Sequence, residues 1–164
     1  MSKLTKVLAS ATLVTTMAMA DVSFYAGGGF AYEAVPDTHG TSAGMGVVLR
    51  GGINLDNVLK NFAAEAEMTR SVIDPEFGNV DQDILTMAAY AVYSIDIGEK
   101  FYVKPRFGLI FPNLGDNVVN SRNVTFSSGI GGGYRIIDSM NMYVDYTILG
   151  EGITNYGAGI EYHF

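Results

Sequence analysis

The chain has 164 residues, 20 of them Gly, no Cys, no Trp and a formal charge of −7. Without Cys, a disulfide framework, a Cys metal site and a lipoprotein anchor are all excluded. The acidity argues against nucleic acid as a partner, and the length allows one domain.

Lys3 and Lys6 open the chain, ahead of a mildly apolar run from Val7 to Met17 and the small-x-small sequence Ala18-Met19-Ala20. This pattern predicts an export signal peptide over residues 1–20, cleaved before Asp21. The run is too short and too rich in Ser and Thr for a spanning helix, which needs about 20 residues. Removing it leaves 164 − 20 = 144 residues, and losing two Lys takes the charge from −7 to −9. An exported chain without Cys suits a bacterial envelope, where folding must not depend on bridges.

The remainder divides into eight stretches of period-two alternation, the mark of a strand with two unlike faces. Strand one, 22–32, places Val22, Phe24, Ala26, Gly28, Phe30 and Tyr32 on one face. A loop with Pro36, Asp37 and Gly40 spans 33–42. Strand two, 43–53, sets Met45, Val47, Leu49 and Ile53 against Arg50, and 54–61 is a polar turn. Strand three, 62–71, opposes Phe62, Ala64, Ala66 and Met68 to Glu65, Glu67 and Thr69; an acidic loop, 72–82, follows. Strand four, 83–95, carries Leu85, Met87, Ala89, Ala91, Tyr93 and Ile95 on its apolar face, before a tight turn at Gly98. Strand five, 101–111, is the clearest: Phe101, Val103, Pro105, Phe107, Leu109 and Phe111 alternate with Tyr102, Lys104, Arg106, Gly108 and Ile110. Pro105 removes a ladder hydrogen bond, so a bulge or local kink is expected there. A loop covers 112–122. Strand six is 123–134, a turn spans 135–140, strand seven is 141–148, and a short loop covers 149–152.

Strand eight, 153–164, ends the chain on Phe164, with Tyr162, Ile160, Ala158 and Tyr156 at the same parity. A chain ending on an exposed Phe makes sense if that face meets lipid. The strands are about 9–11 residues long, enough to cross the hydrocarbon when tilted. In lipid, only a closed sheet satisfies its edges. The expected fold is all-β: an eight-stranded antiparallel up-and-down transmembrane β-barrel over residues 21–164.

A soluble barrel also alternates, with its apolar face inward. Bulk decides between them, because an eight-stranded interior is only just wide enough for side chains. Phe24, Phe30, Phe62, Tyr93, Phe101, Phe107, Phe111, Phe126, Tyr134, Tyr146, Tyr156, Tyr162 and Phe164 are too bulky to point inward together. The opposite face is crowded with Gly, including Gly27, Gly29, Gly44, Gly46, Gly129, Gly131, Gly133, Gly157 and Gly159. The rings also sort into two girdles around an aliphatic band, as in membrane barrels.

Counted from the periplasmic end of each strand, Arg50, Glu65, Lys104, Asp145 and Glu161 lie three residues in, and Glu67 and Arg106 lie five. All seven have lumenal parity. Three positive and four negative groups converging in a narrow tube must pair, because a lone buried charge costs several kcal/mol.

The Gly-rich aromatic first strand, the Phe62-Ala-Ala-Glu-Ala-Glu67 segment and the ending at Phe164 resemble outer-membrane β-barrels of the kind typified by the transmembrane domain of outer membrane protein A. The resemblance implies residence in the outer membrane of a Gram-negative cell. It also implies recognition of Tyr156, Ile160, Tyr162 and Phe164 by the barrel-assembly machinery during insertion. Some members of that family provide narrow conductance, adhesion or envelope support. Unlike in outer membrane protein A, no peptidoglycan-binding domain is expected after the barrel.

Two readings of the lumen stand. In one, the ion pairs are a plug that satisfies its own charges; in the other, they swap partners and gate a narrow pore. The plug is favoured because small barrels are filled by their side chains. An adhesin using the acidic loop residues Asp74, Glu76, Asp81 and Asp83 is the alternative, although the loops are short and the spacing is not that of an EF-hand. A lipid-modifying enzyme comes last. Barrel lipid-A deacylases carry His-x-Ser, and neither His39 nor His163 has a Ser two residues later. His163 reads as a lumenal or rim residue. No cofactor and no metal are expected. The expected partners are membrane lipid, lipopolysaccharide and the assembly machinery, with the barrel a monomer.

Overall fold

The computed structural model describes residues 23–37, 40–73, 76–77, 80–81, 84–114, 124–150 and 153–164; the side chains of 35–37, 40–42, 76–77, 80–81, 84, 112–114 and 150 are not among those described. The expected signal peptide, Val22, His39, Asp74, Asp83 and positions 115–123 lie outside the described residues, as do the side chains of Glu76 and Asp81.

The chain forms β1 (Phe24–Asp37), β2 (Gly40–Asn54), β3 (Phe62–Ile73), β4 (Glu76–Phe77), β5 (Val80–Asp81), β6 (Ile84–Tyr93), β7 (Ile95–Ile97), β8 (Phe101–Leu114), β9 (Thr125–Ile137), β10 (Met140–Gly150) and β11 (Ile153–His163). β4 and β5 pair only with each other; the rest form one sheet in which each strand is antiparallel to its neighbours. β1 pairs with β11 from Tyr25↔His163 to Ala34↔Thr154, and β6 pairs with β8, so the sheet closes on itself. β7 continues β6 beyond Ser94, which makes eight staves. Among the described residues, no helix is long and apolar enough to cross a membrane.

The faces follow the sequence parity. Phe30, Phe107, Phe126 and Phe164 are 67%, 67%, 84% and 74% exposed, whereas Glu65, Glu67, Arg50 and Arg106 are buried. Rings out and charges in is the reverse of a soluble protein, and it fits an apolar surrounding medium. At one rim the outward rings pair across strands, Phe62 with Tyr93 at 4.8 Å and Phe101 with Tyr134 at 5.1 Å, and along the last stave Tyr162 meets Phe164 at 5.1 Å.

Several strands outrun the apolar alternation. β1 and β2 stay paired to Asp37↔Gly40, so most of the expected 33–42 loop is hairpin. β8 reaches Leu114, β9 reaches Ile137 and β10 reaches Gly150. The ladder needs only backbone groups, and it persists where the surroundings no longer impose an apolar face. One consequence is that Glu33 belongs to a strand and is buried, accepting a hydrogen bond from Ser71 at 3.0 Å.

Pro105 does not create a bulge. β8 pairs evenly with β9 through Pro105↔Ile130. On its other side, Val92↔Arg106 and Ile95↔Val103 keep one register, but the ladder lapses between them. The missing N–H therefore appears as the break that divides the fourth stave at Ser94.

Candidate functional site

The lumenal face of each stave contributes alternate residues to one stack of side chains. The structure brings Arg50, Glu65, Glu67, Lys104, Arg106, Asp145 and Glu161 together in it. Arg50 lies 2.7 Å from Glu67, 2.6 Å from Asp145 and 3.4 Å from Glu161. Arg106 lies 3.2 Å from Glu65, 2.7 Å from Glu67 and 3.3 Å from Asp145. Lys104 lies 3.2 Å from Glu65 and 2.9 Å from Glu161. Each of the four carboxylates thus bridges two of the three cations. Arg106 also donates to Thr147 through Nε at 3.1 Å and through its second terminal nitrogen. The Tyr25 hydroxyl donates to Glu65 at 2.8 Å.

Parity explains why these groups meet, but four tyrosines with no role in the sequence reading explain how they are held. Each lumenal Tyr stands directly opposite a Gly on the next strand: Tyr25↔Gly52, Tyr90↔Gly108, Tyr102↔Gly133 and Tyr143↔Gly159. A Cβ at any of those glycines would collide with the facing tyrosine. The missing side chain is what lets the ring lie flat across the wall. Each ring then faces a cation: Arg50 lies 3.9 Å from the centre of Tyr143, Arg106 4.5 Å from Tyr90, Lys104 4.7 Å from Tyr25 and Arg135 5.5 Å from Tyr102. Cation–π attraction in a desolvated site is worth about 2 kcal/mol. Lumenal parity marks these rings in the sequence, but their glycine partners emerge only from the register.

Other glycines make room as expected. Gly157 faces the Asp145 carboxylate, and Gly129 faces Arg106 and Thr147. The space left amid Arg50, Glu65, Lys104, Arg106, Tyr143 and Asp145 is about 10 Å³, at most a single water. Toward the chain termini the lumen opens into a polar vestibule of about 240 Å³. Tyr25, Asn141 and His163 form part of its wall: His163 stacks on Tyr25 with centres 5.2 Å apart, and its Nε2 is 2.9 Å from the Asn141 amide nitrogen. Arg135, expected in a turn, sits at the end of β9 and pairs with Asp96 at the vestibule rim. Tyr156, Ile160, Tyr162 and Phe164 all lie on the outer, exposed face of the last stave.

The family model for the outer membrane protein beta-barrel domain matches residues 7–164. The chain belongs to this family. Membership places it in the bacterial outer membrane as a small barrel of the type seen in outer membrane protein A. Among solved outer-membrane barrels it is similar to Neisserial surface protein A (15% identity, TM-score 0.61, covering 87% of this chain and 97% of that one). It is also similar to Ail, the attachment invasion locus protein of Yersinia pestis (12%, TM-score 0.62, 88% and 99%). OprG of Pseudomonas aeruginosa gives 16% identity and a TM-score of 0.56 over 87% and 95%. At such identities the likeness shows the shared fold alone. A search of curated proteins finds no match. In outer-membrane barrels the short turns face the periplasm. The turns at 54–61, 98–100 and 138–139 and both described chain ends share one end, so the vestibule opens toward the periplasm.

Proposed function

We propose that this outer-membrane barrel is a non-conducting structural element of the envelope, its lumen closed by a resident ion-pair plug. The observation that carries this reading is the void of only about 10 Å³ left beside Arg50, Glu65, Lys104, Arg106 and Asp145, in a plug whose three cations and four carboxylates all take part in bridged ion pairs. The barrel acts as a monomer among lipid and lipopolysaccharide. Residues 1–20 direct export and are removed, and the outward row Tyr156, Ile160, Tyr162 and Phe164 is the signal read by the assembly machinery.

A narrow, gated porin is the second reading, and the bridging favours it. A cation that leaves one shared carboxylate still holds another, so partners can be exchanged without stripping a buried charge. Planar-bilayer recordings separate the two. Silence in the wild type and in Glu67→Gln is expected; discrete openings in either would establish the porin. A polyanion-binding adhesin has less support. Ail was crystallised with the heparin analogue sucrose octasulfate, whereas the acidic 72–82 segment of this chain has the wrong sign for such a ligand. His163 stands beside the Tyr25 ring, the Asn141 amide and, at 3.9 Å, the Glu161 carboxylate; that carboxylate is already engaged by Lys104 and Arg50 in the plug, which supports a non-enzymatic role.

A further inference from the structure

The turn between β2 and β3 carries a surface that neither the wall nor the plug uses. Leu55 N donates to Phe62 O at 2.8 Å, extending the ladder one step past Asn54↔Ala63. The chain then makes a single helical turn. Val58 N and Leu59 N both donate to Leu55 O, at 2.8 and 2.7 Å, and Asn61 with φ 67° reverses the direction. Residues at i, i+3 and i+4 share a face, so Leu55, Val58 and Leu59 are brought side by side. They are 37%, 85% and 50% exposed. The opposite edge is polar: Asp56 accepts the Asn61 amide at 2.7 Å, and both line the vestibule with Asn54. The aliphatic face therefore points away from the barrel axis. It continues the outward row of Ile53 and Phe62, which meets lipid.

We propose that the 55–59 turn is a membrane anchor, with Val58 and Leu59 inserted in the periplasmic leaflet and Lys60 reaching the lipid phosphates. The occupant is phospholipid because the aliphatic face is continuous with the lipid-facing wall. A cation beside it on a flexible stem suits the headgroup layer. The other two turns at this end, Gly98-Glu99-Lys100 and Asp138-Ser139, carry no apolar side chain of their own; the exposed Ile97, Ile136 and Ile137 beside them belong to the strands. The proposal rests on the family's outer-membrane placement and is independent of whether the lumen conducts.

The chain contains no Trp, so a single introduced Trp reports its own surroundings. Val58→Trp and, as a second reporter, Leu59→Trp are reconstituted in phosphatidylcholine bilayers whose acyl chains carry bromine near the headgroup. Folding is checked by heat-modifiable gel mobility, and Glu99→Trp in a polar turn is the aqueous reference. Blue-shifted emission at both reporters, quenched by the brominated lipid and shielded from aqueous iodide, is the expected result. Emission matching Glu99→Trp with no loss to bromine would overturn the anchor. Blue-shifted emission that bromine leaves untouched would also overturn it, and cross-linking would then identify a second copy as the cover.

Discussion

At the scale of single residues, the plug is held by sharing. Arg106 touches Glu65, Glu67 and Asp145 while being almost wholly buried. Removing one partner from a buried ionic cluster leaves the others uncompensated, which costs about 3–5 kcal/mol. Arg106→Met should therefore lower stability by about that amount, read from denaturant unfolding of the reconstituted barrel. Lys104→Met should cost less, because Lys104 bridges two carboxylates instead of three and each of those keeps an arginine. Equal losses for the two variants would argue against the bridging pattern. The seven charges were legible in the sequence because lumenal parity and similar distance from the strand ends suffice to gather them. Glu33 was not legible, because the apolar alternation that marks a strand stops at Tyr32 while the backbone ladder continues. Arg135 was hidden for the same reason at the end of β9.

At the scale of the strand pair, the unit is a tyrosine laid over a glycine on the neighbouring stave. Gly133→Ala should destabilise the barrel by driving a methyl into the Tyr102 ring. The double variant Gly133→Ala/Tyr102→Ala should lose less than the sum of the two single changes. Coupling between contacting residues falls at about 0.5–3 kcal/mol, and additive losses would show that the ring does not depend on the gap. No sequence pattern reveals these pairs, since each joins residues whose relation is fixed only once two strands are in register. The last stave yields a different test. Phe164→Ala should reduce accumulation in the outer membrane of living cells while leaving spontaneous refolding into detergent unchanged. A matching loss in both would assign Phe164 to packing instead of to recognition.

At the scale of the whole molecule, orientation governs everything else. A nitroxide at Phe107 should be accessible to oxygen dissolved in the bilayer and shielded from a water-soluble relaxant, as the ring it replaces is 67% exposed on the outer wall. A nitroxide at His163, whose lumenal side chain lines the polar vestibule, should show the opposite preference. Reversal of the two would place the wall the wrong way out. Orientation was legible from bulk alone: thirteen outward rings and nine inward glycines leave one way to close so narrow a tube.

The strict odd-even order along each stave also limits how such a gene can change. Deleting the codon for Pro105 in β8 would slide every later side chain of that strand through the wall, handing the Arg106 guanidinium to the acyl chains and the Phe107 ring to the plug. Substitutions can be absorbed one position at a time, but length cannot, so gains and losses of residues should accumulate at the hairpin tips and stay out of the staves.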